Sequence, residues 1–120
     1  MASLDPSFGK HATESVEVEI ATLDSTVAAD LAVDLIKLDV ESHEYAVLCG
    51  MWGLLARHHP RVIFECLPET PAEPIERLLR ELGYKIFLLT GQGPAEVDQI
   101  ISDAKQRHHN FLATTSGLTP

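Results

Sequence analysis

Cysteine is scarce in this chain. Cys49 and Cys66 are the only two, and they form neither a C-x-x-C pair nor a dense framework. Disulfide scaffolding is thereby excluded, and a reducing, cytoplasmic setting is the expectation. Basic residues are also few, with nine Lys and Arg against eighteen Asp and Glu and a net charge of −9. Polyanions select basic surfaces, so nucleic acid is not an expected partner, and an anionic membrane surface is disfavoured for the same reason. No apolar run approaches the roughly 20 residues that span a bilayer. Residues 1–10 lack the apolar stretch of a signal peptide.

What is present is the composition of a folded protein. Hydrophobic residues make up 45% of the 120 and charged residues 22%, too apolar for a disordered chain. A chain of this length builds one core without metal or disulfide staples. Residues 1–15 read as a loose lead-in, residues 16–114 as the folded part and residues 115–120 as a tail.

Val16-Glu17-Val18-Glu19-Ile20 alternates strictly, the pattern of a strand with one dry face. A short helix is expected over Ala28 to Leu31, capped by Asp24 or Ser25. Val33 to Val40 is apolar enough for a strand buried on both faces. From Tyr45 the period lengthens, placing Tyr45, Leu48, Trp52 and Leu55 on one helical stripe, with Trp52 in the core. Pro60 ends that helix, and Arg61 to Leu67 is the next buried strand. Thr70-Pro71-Ala72-Glu73 has the form of a capping box for a helix that Gly83 would end. Tyr84 to Leu89 reads as a strand, Pro94 to Arg107 as a helix and Asn110 to Thr114 as a last strand. Alternating strands and helices predict a layered α/β sheet with right-handed crossovers.

In such sheets ligands bind outside the carboxyl ends of the strands, and acidic residues gather there. Asp39 and Glu41 follow the first buried strand, Glu65 lies near the end of the second, and His43 and Glu44 occupy the turn between strand and helix. Neighbouring carboxylates can hold a cation or take a proton from a hydroxyl; near a helix start they can equally complement the macrodipole. Lys37 stands two residues before Asp39 on the same face, placed for an ion pair or for a ligand. Gly91-Gln92-Gly93 before a helix imitates a dinucleotide-binding turn. Glu96 fills its third glycine position and Ala113 the place of the ribose-binding acid, so a flexible turn is the better reading. The histidines, His11, His43, His58-His59 and His108-His109, have no zinc-ligand spacing with the cysteines and read as surface residues. Both cysteines read as small packing residues.

The run Val33-Asp34-Leu35-Ile36-Lys37-Leu38-Asp39-Val40-Glu41, continuing Ser42-His43-Glu44-Tyr45-Ala46-Val47-Leu48-Cys49-Gly50 after Thr22-Leu23-Asp24, resembles the FkbM-type family of S-adenosylmethionine-dependent methyltransferases. That family reads T-L-D, a spacer, then D-x-I-K-x-D-V-E-G-x-E with a leucine and a glycine following. Arg61 to Glu65, the Leu82-Gly83-Tyr84 corner and Asn110 to Ala113 continue the resemblance, which covers Val16 to Ala113. Ser42 replaces the family's usual glycine. The glycine-rich loop and acidic strand end that precede T-L-D in family members have no counterpart in this sequence.

The resemblance implies part of a Rossmann-like class I methyltransferase sheet, three-layered, corresponding to the C-terminal portion and lacking the N-terminal cofactor-binding strands. It implies S-adenosylmethionine as cofactor and O-methylation of a hydroxyl on a small molecule or glycan, such as a sugar or natural product. Asp39, Glu41 and His43 become candidate catalytic residues, with Asp39 first for base or acceptor orientation. Lys37, Glu65 and Asn110 become candidate substrate-binding residues, with no metal. Two other readings stay open. One is a non-catalytic remnant that self-associates through an exposed sheet edge or pairs with a complementary half. The other is a magnesium-dependent phosphate-handling enzyme built on Asp39 and Glu41, although the second aspartate of a D-x-D loop is missing.

Overall fold

The computed structural model describes residues 15–102, 105 and 107–118; nearly all of the expected lead-in, residues 1–14, lies outside them. The described elements are α1 (Leu23–Thr26), β1 (Leu35–Leu38), α2 (Glu44–Cys49), α3 (Trp52–His58), β2 (Arg61–Glu65), α4 (Ala72–Glu81), β3 (Lys85–Thr90), β4 (Gly93–Val97) and β5 (Asn110–Thr114). The five strands form one mixed sheet in the order β1-β2-β5-β3-β4. β1 and β2 are parallel, and β5 is antiparallel to both β2 and β3, so β2 and β3 run the same way.

The crossovers from β1 to β2 and from β2 to β3 step in the same direction across the sheet. Right-handedness therefore puts their helices on one face. On that face Leu38, Val62, Phe64, Phe111, Ala113 and Ile86 pack with Leu48, Met51, Leu54, Leu55, Ile75 and Leu79 in a single core. The expected third layer is absent among the described residues. The connection from β4 back to β5 steps the other way, but those two strands also run the other way. Right-handedness therefore keeps it on the same face, where its Ile100 joins the core. The opposite face carries Lys37, Ile63, Leu112 and Phe87 in one row across β1, β2, β5 and β3.

Several expectations are corrected. The first buried strand shortens to Leu35–Leu38, and as an edge strand it leaves Leu35 and Lys37 exposed rather than buried on both faces. Val16–Ile20 forms no strand, and its apolar side chains are exposed. Helix α1 forms earlier than expected: Thr22, not Asp24 or Ser25, caps it, with the Ser25 N–H donating to Thr22 Oγ1 at 3.1 Å. Asp24 caps α3 instead, its carboxylate accepting from the N–H groups of Gly53 (2.8 Å) and Leu54 (2.9 Å). That bond and the seating of Thr22 against Gly50 split the expected single helix into α2 and α3. A Cβ added at Gly50 would stand 3.1 Å from the Thr22 side chain. The split turns Tyr45 and Trp52 outward, so Trp52 is exposed rather than core.

Thr70 builds no capping box, and Pro71 caps α4 without a side-chain bond. Gly83, at φ +86° with its N–H donating to the Arg80 carbonyl, does end α4 as expected. The helix expected from Pro94 is not formed. Its first part is β4, folded back on β3 with Thr90 paired to Gly93. Thr90 Oγ1 donates to the Gly93 carbonyl (2.7 Å) and accepts from the Gln92 N–H (3.1 Å), and Gly93 takes φ +105°. Pro94 is tolerated because β4 is an edge. Arg80 Nη2 donates to the carbonyls of Val97 and Asp98, and Glu76 Oε1 accepts from the Ile100 N–H, so α4 ties down extended chain. Of the remaining positions assigned to that helix, 103, 104 and 106 lie outside the described residues.

Tyr84 is buried and donates its hydroxyl to the Pro60 carbonyl at 2.6 Å. Burial pushes its phenol up to about 12, and burial likewise pushes the Cys66 thiol up to about 11. Both acids thus ionise more readily in the unfolded chain, so their contribution is whole below about pH 9 and is lost as pH rises through the folded values. Urea denaturation should show stability falling steadily above about pH 9. Tyr84→Phe should cost about 1 kcal/mol at neutral pH through the lost hydrogen bond. That gap should narrow above about pH 10; a gap independent of pH would contradict the assignment.

Candidate functional site at the carboxyl ends of the strands

The register aligns three of the candidate residues. Leu38 pairs with Phe64 and Glu65 with Asn110, so Asp39, Glu65 and Asn110 stand level on adjacent strands. Strand alternation puts Glu65 and Asn110, with Lys37 and Asp39 by the same parity, on the face opposite the helices. Neighbouring strands lie roughly 5 Å apart, close enough for one small ligand to touch all three residues. Asp39, Asn110 and Lys37 are exposed and Glu65 is half-buried. The expected Lys37–Asp39 ion pair is not formed; Arg77 and Glu73 do form one, at 2.7 Å on the outside of α4.

Glu41 and His43 belong to a second group, the turn between β1 and α2. Glu41 (φ +52°) and Ser42 (φ +71°) both adopt the left-handed conformation. Four contacts hold this turn. The His43 N–H donates to the Val40 carbonyl (3.1 Å), and His43 Nδ1 stands 3.1 Å from the Glu41 carbonyl. Since a carbonyl can only accept, Nδ1 is the donor in that bond, and in the neutral ring this tautomer leaves the lone pair on Nε2. Ser42 Oγ and Thr70 Oγ1 lie 3.0 Å apart, joining this turn to the one before α4. Thr70 is therefore engaged here rather than at the helix cap.

The fourth contact comes from Glu44, only 2% exposed, whose Oε2 accepts from the Val40 N–H at 3.4 Å while Oε1 has no partner. A buried carboxylate with an unmatched oxygen opposes folding, and Val40 lies between Asp39 and Glu41. Sequence reasoning names Glu44 and Ser42 in this turn but includes neither among the candidate site residues. Glu44 read equally well as a helix-start acid, and Ser42 only as an altered glycine. The legible signal was that altered glycine, which marks a left-handed position.

The other candidates separate from this rim. Cys66 packs in the core as expected, its thiol aimed at the Thr70 carbonyl at 4.0 Å, and Ser102 Oγ bonds the Cys66 carbonyl. Cys49, read as a packing residue, is instead exposed on α2. Hydrogen bonding to Cys49 holds the Tyr45 phenol above its ordinary value. Gly91-Gln92-Gly93 is a hairpin connection, so the nucleotide-like turn is only a turn. His58 bonds the Ala29 carbonyl at 3.1 Å, and His59, left-handed at φ +47°, ends α3 beside Tyr84. His58, His108 and His109 are half-buried rather than on the open surface. Among the described residues no group of three or more His, Cys, Asp or Glu side chains could hold a metal. No helix of the described residues is long and apolar enough to cross a membrane.

Fold and site together define an α/β protein with an acidic rim at the carboxyl ends of its strands. Comparison with models of protein families matches residues 2–86 to the methyltransferase FkbM domain. The chain belongs to that methyltransferase family. The match takes in T-L-D, β1 with its turn, α2, α3, β2 and α4; Asn110 and the rest of β5 lie beyond it. Comparison with curated proteins and with solved structures found no match.

Ser42 gives a direct test of the turn. Ser42→Ala loses the Thr70 bond and keeps a side chain in left-handed backbone, whereas Ser42→Gly loses the bond but relieves the strain. By chemical denaturation the glycine variant should exceed the alanine variant by about 1 kcal/mol. Equal stabilities would show that the turn is not held left-handed in solution.

Proposed function

We propose that this chain forms the acceptor side of an S-adenosylmethionine-dependent O-methyltransferase. The observation that carries the reading is the family match over residues 2–86. The sheet supports the finer assignment: antiparallel β5 between parallel β2 and β3 is the arrangement that a Rossmann-like class I methyltransferase implies for its last strand.

The carboxylates of Asp39, Glu41 and Glu65 suit a sulfonium cation electrostatically. The described residues include no glycine-rich loop, and no cofactor-holding residue is assigned. When bound, the cofactor supplies an electrophilic methyl group. The chain's part is to prepare the acceptor. A hydroxyl becomes an effective nucleophile as its proton leaves, and Asp39, exposed at the rim, is the base that takes it. Glu41 and His43 Nε2 stand on the adjoining turn as supporting acceptors. Glu65 and the Asn110 amide, paired across β2 and β5, can hold neighbouring hydroxyls and fix the attack direction, and Lys37 stands on the same face. A rim with three carboxylates disfavours phosphorylated or carboxylated acceptors, so a neutral polyol, sugar or natural-product hydroxyl is the fitting class.

Titration calorimetry of S-adenosylmethionine tests the reading. It should be run on this chain and on one extended by the glycine-rich segment that family members carry before T-L-D. Binding by the extended chain is expected, and absence from both would overturn the assignment. In an active preparation Asp39→Asn should lower kcat at least about 100-fold while leaving cofactor affinity nearly unchanged. An equal loss in both would make Asp39 a binding residue rather than the base.

A further inference from the structure

Among the described residues Glu44 is the buried acid, 2% exposed, while Asp39 is exposed and Glu41 and Glu65 are half-buried. Its Oε2 accepts from the Val40 N–H at 3.4 Å, and its Oε1 has no partner. Taking a carboxylate out of water with one oxygen unmatched opposes folding. An acid that only complemented the start of α2 would do so from the wet side of the helix, without that penalty. Glu44 also lies beneath the end of β2: burial first, and the charge of Glu44 besides, hold the thiol of Cys66, which follows Glu65, above its ordinary range.

We propose that Glu44 is a positioning residue, kept at the expense of stability, that aims Asp39, Glu41 and His43 by gripping Val40. The Val40 N–H belongs to the peptide that joins Val40 to Asp39, so a bond to it fixes how Asp39 leaves β1. The next two residues, Glu41 and Ser42, hold φ +52° and +71°, a region that side chains disfavour. Glu44 fixes the near side of this turn, and the contact of Ser42 with Thr70 fixes the far side. The turn in turn sets the Glu41 carbonyl 3.1 Å from His43 Nδ1, which makes Nδ1 the donor. The tautomer of His43 thus depends on the grip of Glu44 on Val40. That these groups serve an acceptor hydroxyl rests on the function proposed above; that Glu44 aims them does not.

Nuclear magnetic resonance of the intact chain, with neither cofactor nor acceptor added, tests this. At about pH 8.5 an ordinary imidazole is neutral. There the ring nitrogens of His43 should report the Nδ1–H tautomer, and backbone shifts should report left-handed Glu41 and Ser42. Glu44→Met fills the site without charge. It should lose both signatures, with His43 passing toward the Nε2–H form, while the urea midpoint stays level or rises. Glu44→Gln, whose amide oxygen still accepts from Val40, should restore both signatures.

Three outcomes would overturn the proposal. Signatures that persist in Glu44→Met would mean that the turn holds its shape without Glu44. A lower urea midpoint in that variant would make Glu44 a stabilising residue. A glutamine variant that behaves like the methionine one would mean that Val40 is not the point of grip. Calorimetry with S-adenosylmethionine is a separate trial. A chain that binds no cofactor can still show the Glu44 effect, and one that binds it can lack the effect, so the two readings fall independently.

Discussion

β5 runs antiparallel between β2 and β3 and is hydrogen-bonded along its length to both. Without it the sheet would be two separate pairs, β1 with β2 and β3 with β4, each too small to be stable alone. Its sequence suits this central place: Phe111, Leu112, Ala113 and Thr114 are all buried, and Phe111 stacks on Phe64 with ring centroids 5.7 Å apart. The strand that closes the sheet is the last of the described strands, so β2 and β3 must be held at two-strand spacing before their ladders are complete. α4 supplies that spacing by packing Ile75, Leu78 and Leu79 into the same core. The register that β5 imposes sets Asn110 opposite Glu65. The last strand therefore completes both the core and the acidic rim.

The sequence features that mark the family divide into two physical roles. Thr22 and Asp24 act as a bracket: one caps α1 and touches Gly50, the other caps α3. Gly50 belongs to that bracket because a side chain there would crowd Thr22. These residues shape the helix layer and stand away from the rim. Asp39, Glu41 and Glu44 form the other group, and within it Glu44 is distinct. Its carboxylate is buried beneath the turn and grips Val40, while Asp39 reaches open surface. The strained pair Glu41–Ser42 persists because Glu44, His43 and Thr70 hold the backbone from three sides.

Much of the sheet was legible in the sequence. Ile36 and Leu38, Arg61 to Glu65, Lys85 to Leu89 and Asn110 to Thr114 are apolar runs too short for helices, and each is a strand. α4 was legible through its stripe of Ile75, Leu78 and Leu79, and Gly83 through its place after it. The rim followed from topology, since acids after parallel strands share one end. The failures have separate physical causes. Val97 and Ile100 fit a helical period, but Thr90 and Gly93 close a hairpin, and Arg80 and Glu76 bind the chain beyond it in extended form. Thr70 fits a capping box, but its hydroxyl meets Ser42, a partner 28 residues away that no local pattern reveals. Trp52 fits a stripe continuous with Tyr45, but Asp24 restarts the helix at α3 and turns the stripe outward. In each case a long-range hydrogen bond outweighed a local period.

The two faces of the sheet place the chemistry. One face lies against α2, α3 and α4 and forms the core. The other presents a row from Lys37 through Ile63 and Leu112 to Phe87, with Glu65 and Asn110 beyond it at the carboxyl ends. Leu112 and Phe87 in that row are buried, so what this face offers a ligand is its exposed end, Lys37 with Asp39 and Asn110, beside the half-buried Glu65. Glu41 and His43 cannot reach it from the row itself. They belong to the turn over the end of β1, and they meet a ligand only if its tip projects past Asp39. On the proposed reading, an acceptor hydroxyl at that tip would stand between Asp39, just past β1, and the pair Glu65 and Asn110 on β2 and β5. Asp39 links the two groups: it follows directly on β1, level with Glu65 and Asn110, and begins the turn that carries Glu41 and His43.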